Sequence, residues 1–293
     1  MKNKNFVATI LLLIGTFFWG MTFVLVKEGI EIIDVYTFLG IRFFIAALVL
    51  AVVFYKELLK IDTKLVYYGV ILVIVLAFSY ITQTTGLQYT SASKAAFITG
   101  MTVIFVPIFI TIINRKMPRI ELVIASIVCF SGLWILTNSE SIKFNIGDIW
   151  VFSCAILFAI YIILVGRYTK IFPSIPFTIV QLATVAILTT SVAWGRSEFI
   201  VPRGYIVWRA ILVCALLATA FMYTIQNKFQ KFISEVKTSI IFSFEPIFAA
   251  ITAYFYLNEQ ITLQIGVGGF LIFSGMILSE MKFFNKSYSQ STG

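Results

Sequence analysis

The chain has 293 residues, of which 60% are apolar and 12% charged, and its net charge is +9. A soluble domain carries about twice that share of charge, so the composition excludes a cytosolic enzyme and a disordered chain and makes a bilayer the solvent. Histidine is absent, which excludes a histidine proton relay, His-containing zinc signatures and Ser-His-Asp catalysis.

Ten apolar runs follow one another, at 6–26, 35–55, 65–86, 95–113, 120–137, 148–166, 177–194, 207–227, 238–256 and 262–281. Each is close to the ~20 residues that span a bilayer as a helix. The spans leave no room for a soluble domain, and their continuity excludes the period-two alternation of a β-barrel. The first run is too long for a signal peptide and ends without a small-residue cleavage site. It carries Phe17, Phe18 and Trp19, with Gly20 next to them. The second run carries Arg42, and the third places Tyr80 and Gln83 three residues apart on one helix face. Lys94 opens the fourth run. Cys129, Cys154 and Cys214 lie far apart in separate runs and read as small packing residues. Tyr161 falls in the sixth run and Gln181 in the seventh. The eighth holds Ala210, Cys214 and Ala218 at intervals of four, then Tyr223, Gln226 and Asn227. Glu245-Pro246 lies within the ninth, and Gly266, Gly268, Gly269 and Gly275 provide close helix contact in the tenth.

Charge sets the orientation. With the N-terminus inside, the outer segments hold only Lys27, Lys94, Lys143, Arg196 and Arg203, while the inner ones hold most other Lys and Arg, including Lys282 and Lys286 near the C-terminus. The positive-inside rule then puts both termini in the cytoplasm, as expected for a multi-pass protein of the cell membrane. Scattered singly between apolar runs, these charges do not form the basic face of a nucleic-acid binder.

The chain also repeats itself. A shift of 143 residues lays Tyr80 on Tyr223, Gln83 on Gln226, Ser91 on Ser234, Lys94 on Lys237 and Phe130-Ser131-Gly132 on Phe273-Ser274-Gly275. Earlier in each half a shift of 139 lays Trp19 on Phe158, Leu25-Val26 on Leu164-Val165 and Arg42 on Gln181. Two halves follow, 1–139 and 140–293, with five spans each. Five is odd, so the second half enters the membrane from the opposite side. Inverted repeats of this kind recur in transporters, with the shared site at their interface.

Together these motifs give the sequence its resemblance to the EamA-type members of the drug/metabolite transporter superfamily. They are Trp19-Gly20-Met21-Thr22-Phe23 with Lys27, Arg42-Phe43, Gly86 to Ala96, Gly147-Asp148, Glu245-Pro246-Ile247-Phe248, Glu259 and the Gly266–Gly275 stretch. The resemblance covers residues 6 to 281. It implies an all-α integral membrane protein, a ten-helix bundle with a central cavity between two inverted five-helix repeats, working by alternating access. It implies no particular substrate.

The candidate substrate-binding residues are Trp19, Arg42, Tyr80, Gln83, Tyr161, Gln181, Tyr223, Gln226, Asn227 and Glu245. Arg42 lies roughly 10 Å below the end of its helix, where a charge must face protein or water. It either grips a substrate carboxylate with its planar fork or bonds backbone carbonyls or snorkels outward. Glu245 either contacts substrate or a coupling proton, since a charged carboxylate is costly to bury, or serves the backbone that Pro246 leaves open. Naive depths separate the two by about 10 Å, so no direct ion pair is expected. The Tyr and Gln pairs line a cavity or cross-link helices. Trp19, Tyr161, Phe17 and Phe18 are candidates for its aromatic wall. Lys94 and Lys237 read as helix-end residues near the membrane surface.

No phosphate-binding loop accompanies the spans, so a gradient drives any uphill movement. The leading reading is a secondary transporter of a small organic metabolite, an amino acid among the candidates, with export as the expected direction. A passive channel or facilitator on the same scaffold is the alternative, and a membrane-integral enzyme ranks below both. No cofactor or metal site is expected. Either a monomer or a homodimer is compatible with the sequence.

Overall fold

The computed structural model describes residues 2–137, 145–257 and 263–281. Lys143, Glu259, Lys282 and Lys286 lie outside them. All regular elements among the described residues are helical. In order they are α1 (Lys2–Ile30), α2 (Val35–Val53), a 3₁₀ segment (Tyr55–Lys60), α3 (Thr63–Leu87), α4 (Ala92–Gly100), α5 (Thr102–Asn114) and α6 (Ile120–Thr137). Then come α7 (Ile146–Tyr168), α8 (Ser174–Gly195), α9 (Tyr205–Val213), a π-helix (Cys214–Phe221), α10 (Met222–Phe229), a 3₁₀ turn (Gln230–Phe232), α11 (Glu235–Phe242), α12 (Glu245–Leu257) and α13 (Leu263–Glu280).

Short polar side chains start these helices by taking up backbone N–H groups that have no partner inside the helix. Asp34 accepts from the N–H of Tyr36 at 2.8 Å and Thr37 at 3.0 Å, and Asp62 from Leu65 at 2.7 Å. Ser91 caps α4 and Ser234 caps α11, each from the amide three residues on, at 3.2 Å. Asn145 and Asp148 form a reciprocal capping box at the start of α7.

Two predicted spans differ from continuous helices. The run 95–113 breaks between Gly100 and Thr102, and the run 238–256 breaks between Phe242 and Glu245. Pro246 accounts for the second break: it fits the first turn of a helix, where no N–H is needed, and not its interior. Glu245 therefore stands at the start of a half-helix and not midway along a whole one. A third irregularity, the π-helix, lies inside the predicted 207–227 span.

Among the described residues, eight helical stretches are long and apolar enough to cross a membrane, and Ile120–Ile135 and Leu263–Ser279 are shorter apolar helices. Phe44, Leu48, Val52, Ile74, Ile112, Ile187 and Phe270 remain exposed on the outside, a surface suited to lipid and not to water. The bundle has two ends. The near face carries Lys4, Lys60, Arg119, Lys170 and Lys231, and the far face carries Lys27, Lys94, Arg196 and Arg209.

Helices approach closest at glycine. A Cβ on Gly20 of α1 would lie 2.6 Å from the Glu245 carbonyl oxygen and 2.9 Å from the Ala249 nitrogen, so α1 lies directly on the first turn of α12. A Cβ on Gly86 would lie 2.8 Å from the Gly147 carbonyl oxygen, and one on Gly147 lies 2.6 Å from that of Gly86. Gly132 brings α6 onto α13, where its Cβ would lie 2.6 Å from the Gly268 carbonyl oxygen. The tenth run uses its glycines unevenly: Gly275 packs against Cys129, whereas a Cβ on Gly266 would meet nothing within 4 Å. All three cysteines are free and buried.

A cavity between helix halves as candidate functional site

Between α1, α2, α3, α4, α7 and α12 lies a small cavity of about 30 Å³. That volume suits water, so a ligand of metabolite size needs the walls to part. Its lining runs from Glu245, Trp19 and Phe158 near mid-bundle to Val26 and Leu87 toward the far face. On α1 the lining residues Trp19, Thr22, Phe23 and Val26 are one helix stripe.

Arg42 is 2% exposed. Its Nε donates to Thr219 Oγ1 at 2.8 Å, and its guanidinium lies 5.0 Å from the Tyr80 ring centroid, an arrangement that stabilises a cation. Thr219 belongs to the π-helix and donates in turn to the Cys214 carbonyl, five residues back, at 2.8 Å. Among the described residues no carboxylate lies within ion-pair distance of Arg42. Glu245 is 6% exposed, lines the same cavity, and accepts no hydrogen bond among the described residues. A buried guanidinium and a buried carboxylate thus share one cavity without pairing. The Gln83 amide donates to Thr99 Oγ1 at 3.2 Å.

Below this cavity the aromatic side chains make a floor. Trp19 donates from Nε1 to the Ala218 carbonyl at 2.7 Å, a contact to the irregular π-helix. Its ring meets Phe158 at 5.4 Å, Tyr223 at 5.8 Å and Phe242 at 5.0 Å. Tyr223 donates to Tyr80 at 2.9 Å, so two residues 143 positions apart touch through their hydroxyls. Toward the near face, Tyr161 donates to Gln181 Oε1 at 2.9 Å, Asn227 to Thr178 at 2.8 Å and Gln230 to the Ile162 carbonyl at 2.6 Å.

Of the residues expected at the site, Trp19, Arg42, Tyr80, Gln83 and Glu245 line the cavity. Tyr161, Gln181, Tyr223, Gln226 and Asn227 are fully buried between the floor and the near face. Phe17 and Phe18 pack instead against Phe248 and Phe221. Sequence reasoning missed Thr22, Phe23, Val26, Ser79, Thr84, Leu87 and Thr99 as lining residues, and it read Cys154, which also lines the cavity, as packing. A signal existed in the α1 stripe and in the polar residues around Tyr80. No sequence signal marks Cys154.

A polar cluster closes the far end. Lys94 pairs with Asp148 at 2.6 Å, Thr90 donates to the same carboxylate at 2.9 Å, and Lys27 donates to the Thr90 carbonyl at 2.8 Å. This ties α1, the α3–α4 turn and α7 together. Lys94 is a helix-end residue, as expected, with Asp148 as its partner. Among the described residues no group of acidic or thiol side chains could hold a metal ion.

The profile of the EamA-like transporter family matches residues 7–138 and again residues 145–281. The chain belongs to the EamA-like transporter family. Relatives include an uncharacterized transporter of Archaeoglobus fulgidus, 28% identical over 95% of this chain and 87% of that one. Another is the uncharacterized transporter YoaV of Bacillus subtilis, 26% identical over 92% of this chain and 94% of that one. A crystal structure shares the fold, with a TM-score of 0.78 and 13% identity over 94% of this chain and 96% of that chain.

Proposed function

We propose that the chain is a secondary transporter that moves a small zwitterionic metabolite of amino-acid type across the cell membrane by alternating access, in the direction of export. The observation that carries the reading is that Arg42 and Glu245, without an ion-pair partner among the described residues, line one cavity. Leaving either charge alone in a dry site is costly. A ligand with a carboxylate at one end and an ammonium at the other removes both costs at once, the carboxylate on the guanidinium fork and the ammonium on Glu245. Between cargoes a proton on Glu245 serves the same end and couples transport to a proton gradient.

The scaffold of this reading is ten spans in two inverted halves, 1–139 and 140–293, with both termini cytoplasmic. The shorter helices α6 and α13 have 18 residues each, about 27 Å of helix, close to the hydrocarbon thickness. Support for inversion comes from residues 143 apart that behave alike. The breaks at Met101 and Phe244 correspond, as do the caps Ser91 and Ser234, and Cys129 Sγ lies 3.6 Å from the Ile272 carbonyl oxygen.

The test is flux in proteoliposomes loaded with a mixture of labelled amino acids under an imposed pH gradient. Uphill accumulation that collapses with Arg42→Gln supports the carrier. Flux that never passes equilibrium makes the protein a facilitator, and normal uphill transport by Arg42→Gln removes the anchor.

A further inference from the structure

A bias of lysine toward one face of a membrane protein does not require the lysines to gather. At the near face three of them do. Lys4 lies in the first turn of α1, Lys228 in the last turn of α10, and Lys231 on the 3₁₀ turn that follows. With Val7, Phe229 and Phe232 they line an open groove of about 530 Å³, which shares no lining residue with the central cavity. That volume is in the range of small-molecule sites.

The lysines converge on the aromatic rings. Lys4 Nζ lies 5.7 Å from the Phe232 ring centroid and Lys231 Nζ 5.6 Å from the same centroid. Lys228 Nζ lies 5.7 Å from the Phe229 centroid. A ring face attracts a cation, but two ammonium groups drawn to one ring repel each other. No carboxylate lines the groove, and none of the three lysines is in an ion pair among the described residues. Lys60 on the same face, by contrast, is paired with Glu57 at 2.7 Å. Glu235, the acid nearest to Lys231 in the chain, packs against Gly166 of α7. An anion seated among the ammonium groups removes a repulsion that the groove itself leaves unanswered.

The apolar half of the groove says which anion. Val7, Ile10 and Ile14 are exposed on α1 at spacings of three and four, which is one face of a helix. The groove therefore runs from its lysines onto an apolar stripe that continues along the spanning helix. A soluble phosphate uses only the lysines, whereas a phospholipid uses both parts, as basic pockets at membrane surfaces do for anionic headgroups. We infer that the groove binds one anionic glycerophospholipid, with its phosphate diester among Lys4, Lys228 and Lys231 and an acyl chain along Val7, Ile10 and Ile14. The site serves the surrounding lipid and not the cargo, and it stands independently of the function proposed above.

Native mass spectrometry of the full-length protein in a neutral detergent tests it, with dioleoyl phosphatidylglycerol and dioleoyl phosphatidylcholine titrated separately. Phosphatidylglycerol is expected to bind in preference. Lys4→Gln, Lys228→Gln and Lys231→Gln together are expected to weaken it on the order of 100-fold, about fivefold for each lysine, and to leave phosphatidylcholine unchanged. Arginine at the three positions keeps the charge and should keep the binding. Lys60→Gln, Lys64→Gln and Lys170→Gln remove the same charge from exposed near-face positions outside the groove and should leave binding at the wild-type level. Where the triple groove variant loses its cooperative melt, Lys231→Gln alone reads the effect at about fivefold. Equal losses in the two triple variants overturn the site, because net charge then explains the binding. Equal binding of the two lipids by the unaltered protein overturns it as well. Glycerophosphoglycerol, the headgroup without its chains, should not displace the lipid at equal concentration; displacement would make the groove a soluble-phosphate site and overturn the lipid as its occupant.

Discussion

Arg42 spends one nitrogen on Thr219 and its face on Tyr80, which leaves the fork end of the guanidinium for the cavity it lines. Lysine keeps the charge but not the fork. Arg42→Lys is therefore expected to lower flux by about 10- to 100-fold, the range for a charged hydrogen bond, while membrane expression stays level. Equal losses in flux and expression would make Arg42 structural. A second carboxylate gives a pH signature outside the spans. Burial pushes the Asp34 carboxyl up, and Glu198 adds to this, against the two backbone amides that it caps. Its charged form is thus disfavoured in the fold, and its contribution to stability falls as the pH rises from the ordinary carboxylate value through the raised one. Asp34→Asn keeps a cap acceptor and is expected to remove that part of the slope without lowering the melting temperature at neutral pH. A lower melting temperature there would show that the charge stabilises the fold.

Among the elements, the half-helix α12 decides where Glu245 sits, and α1 decides where α12 sits. Gly20 admits the backbone of Glu245 and Ala249 at distances that no Cβ allows. Backbone cannot swing aside as a flexible side chain can, so Gly20→Ala forces the helices apart at a cost of about 1–3 kcal/mol. Thermal melting should fall and flux should be lost together. Gly266→Ala is the control: nothing lies within 4 Å of the added carbon, and alanine is the better helix former by about 1 kcal/mol, so stability should hold or rise. Equal behaviour of the two variants would refute the close α1–α12 contact. The break before Glu245 was partly legible, since Pro246 prefers a first turn. The matching break at Met101 has no such mark, because Pro107 lies farther along, and its place is evident only in the folded chain. Nor does the stretch Cys214–Phe221 announce a π-helix. Its widened turn is tied to contacts from outside, Trp19 on the Ala218 carbonyl and Arg42 on Thr219.

For the whole molecule, the proposed inversion of the two halves makes a topological prediction. Tags at either terminus and within 167–176 should all lie in the cytoplasm, and a tag in 140–145 should lie outside. A tag in 140–145 found inside would remove the odd-numbered repeat. The all-helical membrane character, the family and the identity of the intramembrane charges were readable from the chain because the bilayer imposes a one-dimensional rule: apolar runs span, and lone charges inside them must be answered. Composition and run length gave the helices, and the motifs gave the family. The repeat named Tyr80 with Tyr223 and Gln83 with Gln226 before their positions were known. Which member of each pair faces a cavity is a different matter. Tyr80 and Tyr223 meet hydroxyl to hydroxyl, whereas Gln83 lines the cavity and Gln226 is sealed. Two copies of one pattern cannot show which half holds the cavity, because the pattern is the same in both. Only tertiary packing breaks that tie: Gln83 lines the cavity, whereas the Asn227 and Gln230 bonds close the protein around Gln226.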